Sequence, residues 1–427
     1  MRSLLFSLFL CGTATVAGYS QVTDTFKVLQ YNLLNYAASD NPSSYKNPRL
    51  QTIINYCDPD IFGANEIAYG SQNAQNILSN VLGAAWEKGS YINSNNSIQT
   101  NMLFWKKAKF GLVSQESITS VVRDIIAYKL YYKDPNLVTT HDTTYLTVIV
   151  AHLKAGSNEE DSAERFVETN IVAGYLESIA TSPGNYIFMG DLNVYSSYEA
   201  CYDRLVNSSS PLSKFYDPIN RPGYWNGNSS FADIHSQSTR KVYLPDGGVT
   251  GGLDDRFDQI LISQPVQNYT KRIKYLPSSY HIIAQDGLHF NKGLLDNPAN
   301  VSVPQPVRQA LYEMSDHLPV TAKFAVQRTG GVNGITGAIA AQRLFTVVNP
   351  LENNSLDIHC NNLLQQAEPL TVSLCGLEGK VGLQTLWQVK NNAHFNALLP
   401  ALGRGIYLLQ ITNVKGESMH RQLVLVR

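Results

Sequence analysis

Acids, asparagines and two histidines stand where the apolar runs of this chain begin or end. Asn32 closes the run from Phe26, and Glu66 closes the run from Asp60. His152 follows Val148-Ile149-Val150, and Asp191 and Asn193 follow Ile187-Phe188-Met189-Gly190. Asp258 opens Gln259-Ile260-Leu261-Ile262, and Asp316 with His317 immediately precedes Leu318-Pro319-Val320. If the runs are strands, these side chains gather on one rim of a sheet, where α/β active sites are commonly built. So many acids on one rim would repel each other without compensation. A divalent cation removes the repulsion. Glu66, Asp316 and the amide oxygen of Asn32 make a hard oxygen site suited to Mg²⁺ or Mn²⁺, with Ca²⁺ a third candidate.

The elements that must position these residues follow from periodicity. Phe26 to Asn32, Asp60 to Glu66, Met102 to Trp105, Ile125 to Tyr132, Tyr145 to Val150, Tyr186 to Met189, Phe257 to Ile262 and Leu318 to Phe324 read as strands. Leu50, Ile53, Ile54 and Cys57 recur at helical spacing, as do Ala74, Ile77, Leu78, Val81 and Leu82. A further helix, capped by Asp161 or Ser162, is expected to bury Phe166, Ile171, Leu176 and Ile179. Strands alternating with helices over Asp24 to Gln327 predict sheets covered by helices, an α+β or α/β sandwich.

Six motifs occur in a fixed order: Tyr31-Asn32-Leu33-Leu34-Asn35, Ala64-Asn65-Glu66, Ala151-His152-Leu153, Gly190-Asp191-Leu192-Asn193, Arg256-Phe257-Asp258 and Ser315-Asp316-His317. Together they resemble the endonuclease/exonuclease/phosphatase superfamily, which includes pancreatic-type deoxyribonuclease, bacterial sphingomyelinase and inositol-phosphate phosphatases. The resemblance covers roughly Thr25 to Val326. It implies a four-layered α/β/β/α sandwich, with Asn32, Glu66 and Asp316 at the metal. Asp191 and Asn193 resemble the pair that orients or deprotonates the attacking water. His317 resembles the base or phosphate-binding histidine, with Asp258 orienting it. His152 resembles the second catalytic histidine of the deoxyribonuclease and sphingomyelinase branches and argues against the abasic-site repair branch. The implied activity is metal-dependent hydrolysis of a phosphodiester. Nucleic acid is the favoured substrate, with a phospholipase C or a phosphomonoesterase as the enzyme alternatives and an inactive surface-binding module as the non-enzyme one.

Each residue also has a plain reading: a hydrogen-bonded core histidine for His152, a salt bridge to Arg256 for Asp258, a turn cap for Asn32. Between Ser208 and Gly252 the chain turns polar, aromatic and rich in Gly, Pro and Asn. Arg240 and His235 there could meet a phosphate, and Trp225 could stack on a base or headgroup. The competing reading, favoured on loop base rates, is a loop that packs on itself around Trp225.

The ends of the chain carry different signals. Arg2, the apolar run Leu4 to Leu10 and the small residues Ala17, Gly18 and Ser20 read as a secretory signal over residues 1–20. The catalytic domain is expected over 21–328 and a linker over 329–343, its Gly330 to Ala341 rich in small residues. A small all-β sandwich is expected over 344–427. In that last region Val348-Asn349-Pro350, Gly403-Arg404-Gly405-Ile406-Tyr407-Leu408-Leu409 and the end from Arg421 to Arg427 resemble type IX secretion sorting domains. The resemblance implies outer-membrane secretion machinery as a partner and a secreted or cell-surface enzyme, expected as a monomer. The alternative is an accessory binding module. Cys57, on the apolar helix face, is expected buried and unbridged, whereas Cys360 and Cys375 are the pair available for a disulfide. With 44% hydrophobic and 16% charged residues and a formal net charge of -1, the 427-residue chain is neither disordered nor a polycation built for tight duplex binding.

Overall fold

The computed structural model describes residues 23–119, 121–329, 345–351, 355–360, 369–376, 380–388, 394–400, 402–414 and 418–426. The expected signal peptide and linker residues 330–343 lie outside the described residues. The chain divides into two compact units, the first spanning Thr23–Thr329.

Two mixed sheets face each other in the first unit. One runs in the order Ile273–Tyr275, Val320–Gln327, Thr23–Tyr36, Ile61–Ala68, Gln99–Lys106, Trp86–Lys88, with His281–Ile282 also paired to Val320–Gln327. The other runs Phe110–Thr119, Ile125–Tyr132, Tyr145–His152, Tyr186–Asp191, Asp258–Ser263, Phe215–Tyr216. Each sheet has one parallel pair: Thr23–Tyr36 beside Ile61–Ala68, and Tyr145–His152 beside Tyr186–Asp191. These central strands are near-continuous apolar runs because both faces are covered. Val28, Ile61, Val148 and Ile187 are all fully buried. Helices Ser43–Cys57 and Gln305–Met314 pack together, as do Glu159–Ile179 and Ala200–Val206, so the unit is the expected helix–sheet–sheet–helix sandwich.

Helix Glu159–Ile179 departs from expectation in two ways. Its cap is Asn158, whose side-chain oxygen accepts the Asp161 N–H at 2.8 Å. Its inner face carries Arg165, Glu168, Thr169, Val172, Ala173 and Leu176, while Phe166, Ile171 and Ile179 are exposed. An ionic anchor turns the helix. Arg165 donates to Glu199 and to the carbonyls of Lys154 and Gly156, four hydrogen bonds that compensate its buried guanidinium.

The second unit is all-β, with a three-stranded sheet (Phe345–Val347, Ser355–Cys360, His394–Leu398) and a four-stranded sheet (Val381–Trp387, Leu370–Gly376, Gly405–Thr412, Ser418–Val426). Leu356, Ile358, Val372, Leu374, Leu409 and Ile411 alternate into its core with Trp387. Cys57 is buried and unbridged at the end of its helix. Among the described residues no helix is long and apolar enough to cross a membrane.

Candidate active site

Strand register builds the rim. In the second sheet His152 lies opposite Asp191, and Asp191 opposite Asp258, so three ionisable groups stand in one row across three adjacent strands. Residues directly opposite share a face, so all three side chains point the same way. In the facing sheet Asn32 lies opposite Asn65, which puts Glu66 one residue on, at a left-handed φ of 56° within a register shift. Strand Val320–Gln327 pairs with Thr23–Tyr36 and brings Asp316 and His317 to the same end. Asp191, Glu66, His152, Asn193, Asp316 and His317 then line one cleft of about 430 Å³.

Asp191 is the hub. One of its oxygens, Oδ2, accepts Asn32 Nδ2 at 2.9 Å and lies 3.4 Å from His152 Nε2 and 3.7 Å from His317 Nε2. Its other oxygen accepts the backbone N–H of Asn193 at 3.1 Å, and the Asn193 amide donates to the Leu153 carbonyl. Asn32 also donates to Glu66 Oε1 at 3.1 Å, while its own oxygen accepts the Leu34 N–H at 3.0 Å. Asn32 therefore ties the carboxylates together as a donor, and its oxygen is turned to the backbone rather than toward a ligand position. Asn65, buried behind the rim, accepts the Asp191 N–H and donates to the Ala151 carbonyl, stitching the two sheets together.

The surroundings push the two histidines in opposite directions. Burial works against charge on His317, but Asp258, Asp191 and Asp316 overcome it and hold its proton affinity well above the ordinary value. The Asp258 contact is direct, 2.6 Å from Oδ2 to His317 Nδ1. Burial, with Arg123 and His317 adding repulsion, holds His152 well below its ordinary value, so that ring is neutral. Burial raises Asp191 to about 7, the nearby Asp258 and Glu66 adding to it and His317 opposing. Burial and Asp316 likewise raise Glu66. Titratable groups whose environments push them apart are the usual mark of divided acid and base roles.

The residues fit a divalent cation. Glu66, His152 and Asp191 each offer a ligand atom, all within 4.8 Å of one another. Asp316 Oδ1 is buried with no hydrogen-bond partner, His317 Nε2 lying 4.0 Å away, and it is an acceptor with room for a further ligand. Asp316 Oδ2 is engaged, accepting Gln237 Nε2 at 3.2 Å and the Val249 N–H at 2.7 Å. Of the expected Asn32, Glu66 and Asp316 set, Glu66 belongs to this group, Asn32 donates to Glu66 at 3.1 Å and Asp316 lines the same cleft.

The polar insertion is the wall of this site. Ser236 Oγ donates to Asp258 Oδ2 at 2.8 Å, and Gln237 Nε2 lies 2.7 Å from His317 Nε2. Gly248 closes over Asp316 at φ +86°, where an added Cβ would sit 3.1 Å from the carboxyl carbon. Gln237 and Ser236 were not singled out by type, since uncharged residues in an aperiodic loop carry no chemical signal of their own. Their charged and aromatic neighbours, which did attract notice, point inward. Trp225 is fully buried against Tyr202 and the Arg256 guanidinium. His235 meets the Trp225 carbonyl at 2.8 Å. Arg240 grips Asp246 with two bonds of 2.8 Å and donates to the Tyr312 and Gly247 carbonyls. The favoured reading of a loop packed on itself around Trp225 agrees with this burial: Trp225, His235 and Arg240 are all fully buried, and Trp225 Nε1 donates to the Arg221 carbonyl. Arg256 pairs with Asp217, leaving Asp258 to His317. Arg123, also outside the expected set, is the one Lys or Arg lining the cleft among the described residues; it holds the carbonyls of His152 and Leu153.

Solved structures of similar fold include an endonuclease/exonuclease/phosphatase family protein from Bacteroides thetaiotaomicron, at 14% identity and a TM-score of 0.44, covering 74% of this chain and 99% of that one. A Danio rerio TDP2 complexed with a single-strand DNA product is 12% identical, with a TM-score of 0.43 over 70% of this chain and 98% of that one. A mannosyl-6-phosphatase from Bacteroides thetaiotaomicron is 14% identical, with a TM-score of 0.43 over 70% of this chain and 99% of that one. No curated protein matches the sequence. The sequence profile of the endonuclease/exonuclease/phosphatase family matches residues 29–281, which hold the whole rim except Asp316 and His317, and the chain is a hydrolase belonging to that family.

Proposed function

We propose that this protein is an exported, divalent-metal-dependent phosphodiesterase, with nucleic acid as its substrate. One observation carries the chemistry: a single Asp191 oxygen lies 3.4 Å from His152 Nε2 and 3.7 Å from His317 Nε2, so that one carboxylate faces both imidazoles. Hydrolysis of a diester needs a water aimed in line, its proton removed, charge on the nonbridging oxygens compensated and the leaving oxygen stabilised. Asp191, raised to about 7, is suited to take the water's proton near neutral pH, with Asn193 and Asn32 fixing its orientation. His317, held through Nδ1 by Asp258, has its proton affinity raised by the surrounding carboxylates, which suits it to offset charge on the phosphoryl oxygens. Neutral His152 stands within proton-exchange reach of Asp191 and can relay that proton toward the leaving oxygen. A bound Mg²⁺ or Mn²⁺, or Ca²⁺, held through Glu66 and the open oxygen of Asp316, would supply the charge that neutralises the phosphoryl oxygens.

Export rests on residues 1–20, with their charged start, apolar run and small residues. Delivery through outer-membrane type IX machinery rests on the sorting-domain motifs of the second unit. The test is a Mg²⁺-dependent screen of the purified chain against DNA, RNA, sphingomyelin, inositol phosphates and a generic bis-ester. Turnover of DNA or RNA above the others is expected. Activity confined to phosphomonoesters would overturn the reading, and headgroup release from sphingomyelin alone would move the substrate to phospholipid.

A further inference from the structure

A second group of metal-binding side chains lies far from this chemistry in sequence. Asp357 and His359 sit two residues apart on strand Ser355–Cys360, and His394 opens strand His394–Leu398. Period-2 alternation puts Leu356, Ile358 and Cys360 in the core and leaves Asp357 and His359 on the outer face. His359 pairs directly with His394 across the two strands, and their rings stack with centroids 4.2 Å apart and planes 17° apart. His394 Nε2 hydrogen-bonds Asp357 Oδ1, and His359 Nε2 is 3.9 Å from the same oxygen. One ligand atom from each residue lies within 4.8 Å of the other two. Side-chain exposures of 30% for Asp357, 56% for His359 and 43% for His394 leave the group open to solvent.

We propose that Asp357, His359 and His394 form a binding site for a divalent transition-metal ion, zinc in the first instance. Two imidazoles and one carboxylate match a three-ligand zinc site whose fourth position is taken by water. Imidazole favours Zn²⁺, Cu²⁺ and Ni²⁺, whereas Mg²⁺ and Ca²⁺ prefer oxygen donors, so this site and the carboxylate-rich rim of the first unit select different ions. The sheet register already holds the three side chains together, and the stacked rings must turn so that their nitrogens converge on one ion. The ion joins two strands separated by the chain between His359 and His394, and it binds the folded unit only, so it stabilises that unit in proportion to its occupancy. Its affinity falls at acidic pH, where imidazole takes up protons. The site stands on the second unit alone and does not depend on the function proposed for the first.

The experiment uses the full chain carrying Glu66→Ala, which weakens ion binding at the rim, after treatment with chelator. Zn²⁺ is titrated calorimetrically, and Co²⁺ is followed by visible absorption as a probe of imidazole coordination. The same measurements are made with His359→Ala and His394→Ala added. The added pair is expected to remove one zinc equivalent or weaken it by at least about 10-fold, the lower end of what even an outer-shell change costs. It should also remove the Co²⁺ absorption of that site and the zinc-induced rise in unfolding temperature. Circular dichroism in chelator should match between the two chains, since both histidines are solvent-facing. Should the double variant misfold, His359→Ala alone, at the more exposed position, carries the comparison. Zinc stoichiometry, affinity and Co²⁺ absorption unchanged by the substitutions would overturn the proposal, as would absence of zinc uptake by the Glu66→Ala chain.

Discussion

The two units bury different things. In the first, Asn32, His152, Asp191, Asp258, Asp316 and His317 are each at most 3% exposed, and they crowd against one another. In the second, the buried described residues are apolar except for His420, and the acid–histidine group lies on the outer face. Burying ionisable groups is costly unless they are paired. The first unit accepts that cost on one rim and meets it with Asn32, Asn65, Ser236 and Gln237, each engaged with an ionisable neighbour or its backbone. The second unit folds on alternation alone. Concentrated, partly compensated burial therefore marks where chemistry is done.

The largest expected effect separates the units by metal. Chelator should abolish phosphoesterase activity and Mg²⁺ or Mn²⁺ restore it, because the rim carboxylates are hard oxygen donors. Glu66→Ala should lose activity with little change in unfolding temperature, since Glu66 keeps 15% side-chain exposure and is no part of the apolar core. Full turnover in chelator, measured on a bis-ester, would break the comparison at its strongest point.

Next come the histidines. His152→Ala and His317→Ala should each lower kcat by about 10²-fold or more, as for acid–base groups. Asp258→Asn should act in the same direction as His317→Ala, because Asp258 both orients the ring and holds its charge. In the double variant the two losses should not multiply, as for residues acting as a unit. Multiplying losses would mean that the pair does not act together.

Glu168 gives a smaller and different signature. It lies fully buried beneath the loop after His152, accepting the Lys154 N–H at 3.0 Å, with Oε1 lacking any partner. Burial pushes its carboxyl from 4.5 up to about 7, opposed by the Lys154 bond. The folded chain thus binds the proton more tightly than the unfolded one. Its contribution to stability is complete below about 4.5 and is lost as pH rises through about 7. The span corresponds to on the order of 3 kcal/mol. Glu168→Gln should flatten the pH dependence of chemical denaturation across that window, and an unchanged slope would contradict the assignment.

Much of this was legible beforehand, for a physical reason. Central strands covered on both faces must be apolar, so the switch to Asn32, Glu66, His152 or Asp191 at their ends stands out. The strands that escaped notice are chiefly at sheet edges: Phe110–Thr119, Val381–Trp387 and His394–Leu398. An edge strand pairs on one side only and tolerates polar residues, so its hydrophobic period fades. Helix Glu159–Ile179 was assigned the wrong inner face because Arg165 and Glu168 replace apolar residues at the contact. The pairing of Asp258 with His317 came from family resemblance; spacing alone left Arg256 as an equal partner. Gln237 was hidden in a loop whose order comes from tertiary contacts.

The smallest expected effect tests where the first unit stops. A chain ending after Thr329 should keep its turnover, because none of the rim residues lies beyond His317. Arg328 donates two hydrogen bonds to Asp24, at 3.0 and 2.7 Å, and Thr329 gives both its N–H and its hydroxyl to Asp134 Oδ2. Asp134 is only 5% exposed, so removing Thr329 leaves a buried carboxylate oxygen without those donors. Such a loss costs about 1–3 kcal/mol, whereas the Asp24 pair, about a third exposed on each side, adds at most about 1 kcal/mol. The chain ending at Gln327 should therefore unfold at lower denaturant than the one ending at Thr329, with equal kcat at temperatures where both are folded. Equal midpoints would mean that Asp134 finds other partners. A lower kcat for the chain ending at Thr329 would mean that the second unit contributes to catalysis, and the contrast between a catalytic unit and an independently built β unit would fail.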